Sequence, residues 1–420
     1  MNNSPRRRVA VTGIGLVSPF GGDAQDFFSR IMHGESAIDL CHHYPTSLPP
    51  FSQPAVSCRL FNPELAIGRA LSSMTDRFSQ LGIAAAFSAW NDAGLSRAGN
   101  GSNDYGVSWG TGGGGVMTIE KGYSDFYERG KHRASPLSVP IAMNNAAASN
   151  IAISLGLGAA CQTHSVACAS SAISIGDAFR RIQAGDASLI VAGGSEAPLS
   201  HSVMRAWDGM RVIATADERT AAQACRPFHA QRTGFVLGEG GAALILEEWG
   251  HASRRNAHVY CEIAGFGQSC DHTHIVRPSA DGQVRAIEAA MREAELTPVD
   301  VGYINAHGTA TPEGDPTEIT AIKRAFGEHA ANLAVSATKS MHGHLLGAAG
   351  AIEALITVLA LSRQEIPPTA HLEQDDIAEN CRGIRHITGQ GLRDRSFTAA
   401  ISSSFSFGGS NAVLAFRLPS

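Results

Sequence analysis

Cys168 lies in Val166-Ala167-Cys168-Ala169-Ser170-Ser171, between a strand-like run and a helix-like run. A thiol there sits near unpaired backbone N–H groups and the positive end of a helix dipole, which favour an anion and lower a thiol pKa. Small neighbours leave room for a substrate. The same pattern suits a buried structural cysteine, since free cysteine is among the most buried residue types. Three stretches in the second half add chemistry. Asn305-Ala306-His307-Gly308-Thr309 puts a histidine at a strand end, facing the crevice of an α/β sheet, with Gly314-Asp315-Pro316 after it. In Thr338–Glu353, Lys339 and His344 sit in the loop and first turn of an otherwise apolar helix, with Glu353 as a partner for buried charge. Ser403–Asn411 is a glycine turn after a strand, and backbone N–H groups around Phe407 and Gly408 can serve as an oxyanion hole. One thiol, two histidines, a lysine and backbone donors form the set that nucleophilic acyl transfer uses. His342-x-His344 lacks a third ligand of matching geometry, so no metal is expected, and no cofactor is implied.

These residues must be carried by strands and helices in alternation. Arg8–Thr12, Tyr105–Trp109, Gln162–Ala167 and Ser188–Ala192 read as strands of the first half, with helices over Arg77–Ala93, Ala142–Leu155 and Ala169–Gly185. The cadence restarts with Val259–Phe266, Val301–Asn305, Ala334–Ser336 and helices over Gln283–Glu295, Pro316–Phe326 and His344–Leu361. Gly234–Glu247 reads as a long strand, and Cys41–Pro63 as loop. The expected class is α/β, with a duplication joined near residues 250–260 and halves over residues 1–255 and 256–420.

Length and composition are those of a globular chain. The 420 residues are 44% hydrophobic and carry a net charge of −5, so charge does not make it a nucleic-acid binder. Its eight cysteines include no C-x-x-C pair, which argues against a zinc ribbon or a redox dithiol. The N-terminal region has no apolar run of signal length, and no segment reaches the roughly 20 apolar residues of a span. The expectation is a cytoplasmic protein that does not bind membrane. Gly110-x-Gly112-x-x-Gly115 formally matches a dinucleotide fingerprint, with Glu128 near the ribose-binding distance. It lies in a run of glycines, where such a match arises almost automatically. The alternative is close backbone approach to another segment or a ligand.

The motifs around Cys168, Asn305–Pro312, Lys339–Gly350 and Phe405–Asn411 resemble, in order and spacing, the elongating β-ketoacyl-acyl carrier protein synthases. Arg226-Pro227-Phe228 and Gly234–Gly240 match a further segment of that family. The resemblance implies a thiolase fold, two similar halves in a five-layer αβαβα arrangement, usually as a homodimer. It also implies a ping-pong reaction. Cys168 takes an acyl chain from its carrier, malonyl-carrier loses CO2, and the carbanion attacks the acyl-enzyme. His307 and His344 would bond the malonyl thioester oxygen, with Lys339 paired to Glu353 behind them. The Cys168 and Phe407 N–H groups would hold the acyl thioester oxygen, and Phe407 would gate the two half-reactions. The Cys-His-His set differs from the Cys-His-Asn set of the initiating enzymes. A non-catalytic partner subunit of a ketosynthase heterodimer is the alternative, which the intact set disfavours.

Some positions depart from the family pattern. Ser406 replaces a common glycine in the gating loop, and His229 and Thr233 replace acidic residues. Gly113 stands where long-chain relatives carry a bulky apolar residue, which should enlarge the acyl pocket. The acidic carrier protein calls for basic residues near the tunnel mouth. Arg129, Lys131 and Arg133 are the first choice, with Arg69 and Arg205 next.

Overall fold

The computed structural model describes residues 6–43, 51–97, 99 and 101–419. The main sheet has eleven strands, numbered here in chain order within it. They are β1 (Val9–Val17), β2 (Tyr105–Gly110), β3 (Cys161–His164), β4 (Leu189–Glu196) and β5 (Gly240–Glu248). Then come β6 (Cys261–Cys270), β7 (Val301–Asn305), β8 (Ala334–Ser336), β9 (Arg385–His386), β10 (Ala399–Phe405) and β11 (Ser410–Arg417). The order across the sheet is β9-β8-β7-β10-β11-β6-β1-β5-β4-β2-β3.

The duplication is visible in that order. From the join outward, the first half runs β1-β5-β4-β2-β3 and the second β6-β11-β10-β7-β8, the same succession once the two-residue strand β9, which adds one further edge strand beyond β8, is set aside. The sense of each pairing also repeats. β1/β5 and β4/β5 are antiparallel, as are β6/β11 and β10/β11. β2/β4 and β2/β3 are parallel, as are β7/β10 and β7/β8. The halves join where β1 pairs antiparallel with β6, at Val9–Ile263 through Val11–Cys261.

Helices repeat too. α1 (Arg77–Asp92), α2 (Ala146–Leu155) and α3 (Ser170–Ala184) have counterparts in α4 (Ala280–Glu293), α5 (Gly314–Phe326) and α6 (Ala349–Arg363). Three apolar cores separate the layers. One lies beneath α1 and α2, one beneath α4 and α5, and one encloses α3 and α6 between the two half-sheets. This is the five-layer αβαβα arrangement. Close packing of the outer helices depends on matched glycine pairs. A Cβ at Gly13 or Gly15 would come within 2.4 Å of the α1 backbone, and one at Gly265 or Gly267 within 2.3 Å of the α4 backbone.

Three expectations change. Within Cys41–Pro63, where loop was expected, Asp39–His43 and Phe51–Val56 pair as strands, and Phe51–Val56 also pairs with Leu237–Gly238. Residues 44–50 of that stretch lie outside the described residues. The hairpin is local and its Pro and Ser content hid it, whereas Leu237–Gly238 is about 180 residues away from its partner. The long strand expected over Gly234–Glu247 is divided for the same reason, because Leu237–Gly238 belongs to the small sheet and β5 begins at Gly240. His344 lies before the helix expected to contain it. Positive φ at Gly343 (70°) and Leu346 (45°) bends the chain, and α6 starts at Ala349. Leu346–Arg363 is long and apolar enough to cross a membrane, but 89% of it is buried inside the fold as part of the central layer.

Candidate active site

The duplication brings the chemistry together. Cys168 follows β3 and precedes α3, while Lys339 and His344 follow β8 and precede α6. The two turns are therefore counterparts, and they meet in the central layer. Cys168 sits on a tight elbow. Ala167 has φ 46°, a left-handed conformation that costs a non-glycine residue ~1–2 kcal/mol. Ser170 holds the elbow, since its Oγ donates to Ala167 O (2.7 Å) and accepts from Val166 N–H (2.8 Å). Ala169 N–H donates to Val166 O at 3.1 Å. The thiol is 7% exposed. Contrary to the sequence expectation of a lowered thiol pKa, burial pushes Cys168 up to about 12, with Lys339 pulling the other way and Glu196 and Glu353 adding to the rise. Loss of water outweighs the helix terminus, and the resting group is a neutral thiol.

His344 Nε2 is 3.0 Å from Cys168 Sγ. Its backbone is pinned by His344 N–H to Val236 O (2.7 Å) and Gly238 N–H to His344 O (3.0 Å). His307 stands edge-on to it, with ring centroids 5.4 Å apart. Metal-capable atoms of Cys168, His307 and His344 all lie within 4.8 Å of one another. Burial, and then the Lys339 charge, hold both histidines well below the usual imidazole range, so both rings are neutral. Lys339 is wholly buried and uses three acceptors. They are Glu353 Oε1, in a short ion pair, His307 O (2.5 Å) and His307 Nδ1 (3.2 Å). An ammonium has no acceptor capacity, so the His307 Nδ1 it faces must be the unprotonated nitrogen. The His307 proton therefore resides on Nε2. His344 Nδ1 makes no hydrogen bond among the described residues, and His342 bonds Thr338 Oγ1 at 3.0 Å instead of joining the group.

Buried carboxylates hold the loops. Glu318 accepts from the backbone N–H groups of His307 (2.7 Å) and Gly308 (2.8 Å), and burial pushes it up to about 7. Asp315 accepts from Phe228 N–H at 2.7 Å, lies 3.6 Å from Arg232, and is pushed up to about 6 by burial. Arg232 in turn bonds the carbonyls of His229, Thr311 and Pro312, each at 3.0 Å, which fixes the segment after His307 without acids at positions 229 and 233. Glu196 receives Gly112 N–H (2.6 Å), Gly113 N–H (3.1 Å), Gly347 N–H (2.9 Å) and Thr111 Oγ1 (3.0 Å). The glycine run thus wraps the protein's own carboxylate where a nucleotide phosphate would have to lie.

Two cavities open beside Cys168. The outer one, ≈ 370 Å³, includes His307, His344, Thr309, Thr311, Phe407 and Arg277 in its wall. The inner one, ≈ 200 Å³, lies against Gly112, Gly113, Val116, Glu196 and Leu346. Gly113 lines this inner cavity. Phe407 stacks on Trp207 (6.0 Å, 28°), and Gly408, with φ 85°, donates its N–H to Ile275 O at 2.7 Å.

Two models of one family match the chain. The beta-ketoacyl synthase N-terminal domain matches residues 6–252 and the C-terminal domain residues 260–373. The chain belongs to the β-ketoacyl synthase family. It is 39% identical over 417 residues to 3-oxoacyl-[acyl-carrier-protein] synthase 2 of Staphylococcus aureus (strain N315), covering 99% of each. Among solved structures, a beta-ketoacyl synthase from Burkholderia phymatum STM815 matches with a TM-score of 0.89 at 31% identity, covering 99% of this chain and 100% of that one. The AntDE:AntF complex, a type II PKS acyl-carrier protein with its ketosynthase bound to the hexaketide, matches with a TM-score of 0.87 at 28% identity, covering 99% and 100%.

Relative to that family site, the structure separates the basic residues expected at the mouth. Arg129 and Lys131 both pair with Asp125, at 3.0 and 2.9 Å, and Arg133 is exposed; none lines either cavity. Arg205 pairs with Asp208 at 3.9 Å, and Arg69 is exposed. Among the described residues of the outer cavity, Arg277 is the one lysine or arginine. Sequence reasoning missed Glu196, Glu318, Trp207 and Arg277. A buried-looking carboxylate at the end of an apolar strand was the available signal for Glu196.

Proposed function

We propose that the protein condenses a Cys168-bound acyl chain with malonyl-acyl carrier protein, with loss of CO2, to give a 3-ketoacyl-carrier product. The carrying observation is the Cys168–His344 contact, with His307 and Lys339 behind it, at the place where two cavities meet.

In the first half-reaction the Cys168 thiol attacks the acyl thioester. His344 Nε2 is placed to accept the thiol proton, which a neutral thiol needs. The carrier thiol leaves, and the acyl chain occupies the inner cavity past Gly113. The Cys168 and Phe407 backbone N–H groups hold the thioester oxygen, with Gly408 giving Phe407 its turn. In the second half-reaction malonyl-carrier enters by the outer cavity. His307 Nε2–H donates to its thioester oxygen. Lys339 supports that role by occupying Nδ1, and the unpartnered Nδ1 of His344 leaves that ring free to present its proton from Nε2. Donors aimed at the developing enolate oxygen are worth ~3–4 kcal/mol each in such sites. C–C bond breaking releases CO2, and the carbanion attacks the acyl carbon and frees Cys168.

Carrier docking draws on Arg133, with Arg129 and Lys131 held through Asp125, and the partner is an acidic acyl carrier protein in the cytoplasm. Tyr123, Phe126, Tyr127, Leu137 and Val139 are exposed apolar side chains, and we assign them, with the open edge of β3, to a homodimer contact. Selective alkylation of Cys168 tests the reading. One equivalent should abolish condensation; condensation by a partner subunit that is unchanged when this chain's Cys168 is alkylated would assign the chain to a non-catalytic subunit.

A further inference from the structure

Cys168 and Trp207 are the two residues shared by the walls of both cavities. An acyl chain on Cys168 that extends into the inner cavity therefore enters a space that the indole borders. Its plane is not free to turn. Phe407 stacks on it at 6.0 Å with 28° between the planes, and Phe235 meets it edge-on at 5.5 Å. Phe235 is itself edge-on to the His344 ring at 5.2 Å, so the indole is fixed relative to the site. The rest of the inner cavity's wall is apolar or backbone, with Val116, Val203 and Leu346 beside smaller groups. Gly112, Gly113, Ala167 and Pro198 offer backbone and small side chains, and Glu196 directs its carboxylate oxygens into four donors.

We propose that Trp207 is a specificity-determining residue that favours acyl chains planar next to the thioester, that is, α,β-unsaturated or conjugated acyl groups. The inference rests on Cys168 being the acyl acceptor. A conjugated chain is flat and polarisable and lies against an aromatic face along its length. A saturated chain projects hydrogens on both sides of its zigzag and gains only the hydrophobic part of the contact. Aromatic stacking of ordinary size corresponds to a preference of about two- to tenfold.

The test loads the full-length protein from an equimolar mixture of octanoyl-, α,β-octenoyl- and conjugated octadienoyl-carrier and reads acyl-Cys168 by mass spectrometry. Octadienoyl should exceed octanoyl by about two- to tenfold in the wild type. W207L should bring the ratio to about one, and W207F should keep most of the preference, which separates an aromatic-face effect from lost packing. A wild-type ratio near one, or a preference that survives in W207L, would overturn the assignment. If W207L does not fold, the wild-type ratio and W207F still decide it. No acyl-Cys168 with any carrier would overturn the acceptor assignment itself, and with it this inference.

Discussion

Replacing Lys339 by Met tests whether the buried lysine acts through charge and hydrogen bonding or only fills space. The side chain is 0% exposed, and so is Glu353. Removing one member of a buried ion pair leaves the other unpaired, at ~3–5 kcal/mol. The variant also strips a donor from His307 O and from Nδ1. In the double variant K339M/E353L the stranded carboxylate is gone, while His307 O still lacks its partner, which leaves a deficit of ~1–3 kcal/mol. Stability should therefore fall steeply in K339M and recover by about half in the double variant. Catalysis should not recover. Without the ammonium at Nδ1, nothing fixes the His307 proton on Nε2, and decarboxylation should stay ~10²–10³-fold down in both. Urea unfolding measures the first quantity, and CO2 release from malonyl-carrier the second. Acyl transfer to Cys168 should persist, because His344 is the group in contact with the thiol. Decarboxylation restored in the double variant, or K339M within ~1 kcal/mol of wild type, would refute the reasoning.

Three further outcomes are expected. Burial raises Glu318 to about 7 from an unfolded value of 4.5, so the native state binds the extra proton between those values, and its contribution is full below pH 4.5 and lost as pH rises through 7. Relative to E318Q, the wild type should therefore lose about 3 kcal/mol between pH 4.5 and 7, and unfolding curves of equal pH dependence would contradict this. Because the Cys168 thiol is pushed up to about 12, its alkylation should climb through pH 9 without levelling, whereas a plateau near pH 7 would show a resting thiolate. Gly113→Ile places its Cβ 3.1 Å from Val116 Cγ1 and extends into the ≈ 200 Å³ cavity. It should exclude the longest acyl chains while keeping short ones, as read from a chain-length series of acyl-Cys168, and an unchanged profile would remove Gly113 from the pocket wall's function.

The parts of the site legible in the sequence are those whose chemistry is local. Cys168 at a strand-helix junction, His307 at a strand end and Lys339 before an apolar helix announce themselves by residue type. The duplication could be read from the strand-helix cadence. The matching strand order and the join at β1/β6 depend on pairings between distant residues, which one chain's periodicity does not encode. Glu196 was missed because its partners are backbone N–H groups 83–151 residues away. Trp207 was missed because its importance is positional, at the boundary of two cavities. The raised Cys168 pKa reverses the local expectation, since a helix terminus is visible in sequence and the depth of burial is not.

The central claim is that Cys168 carries the acyl chain and that His307 acts afterwards, in decarboxylation. Mass spectrometry of the Cys168 peptide follows both steps in one sample, first with acyl-carrier and then with malonyl-carrier. The account predicts that wild type gains the acyl mass and loses it on condensation, and that H307A gains it and keeps it. Acyl mass absent from Cys168 in the wild type, or cleared from H307A at the wild-type rate, would contradict the account.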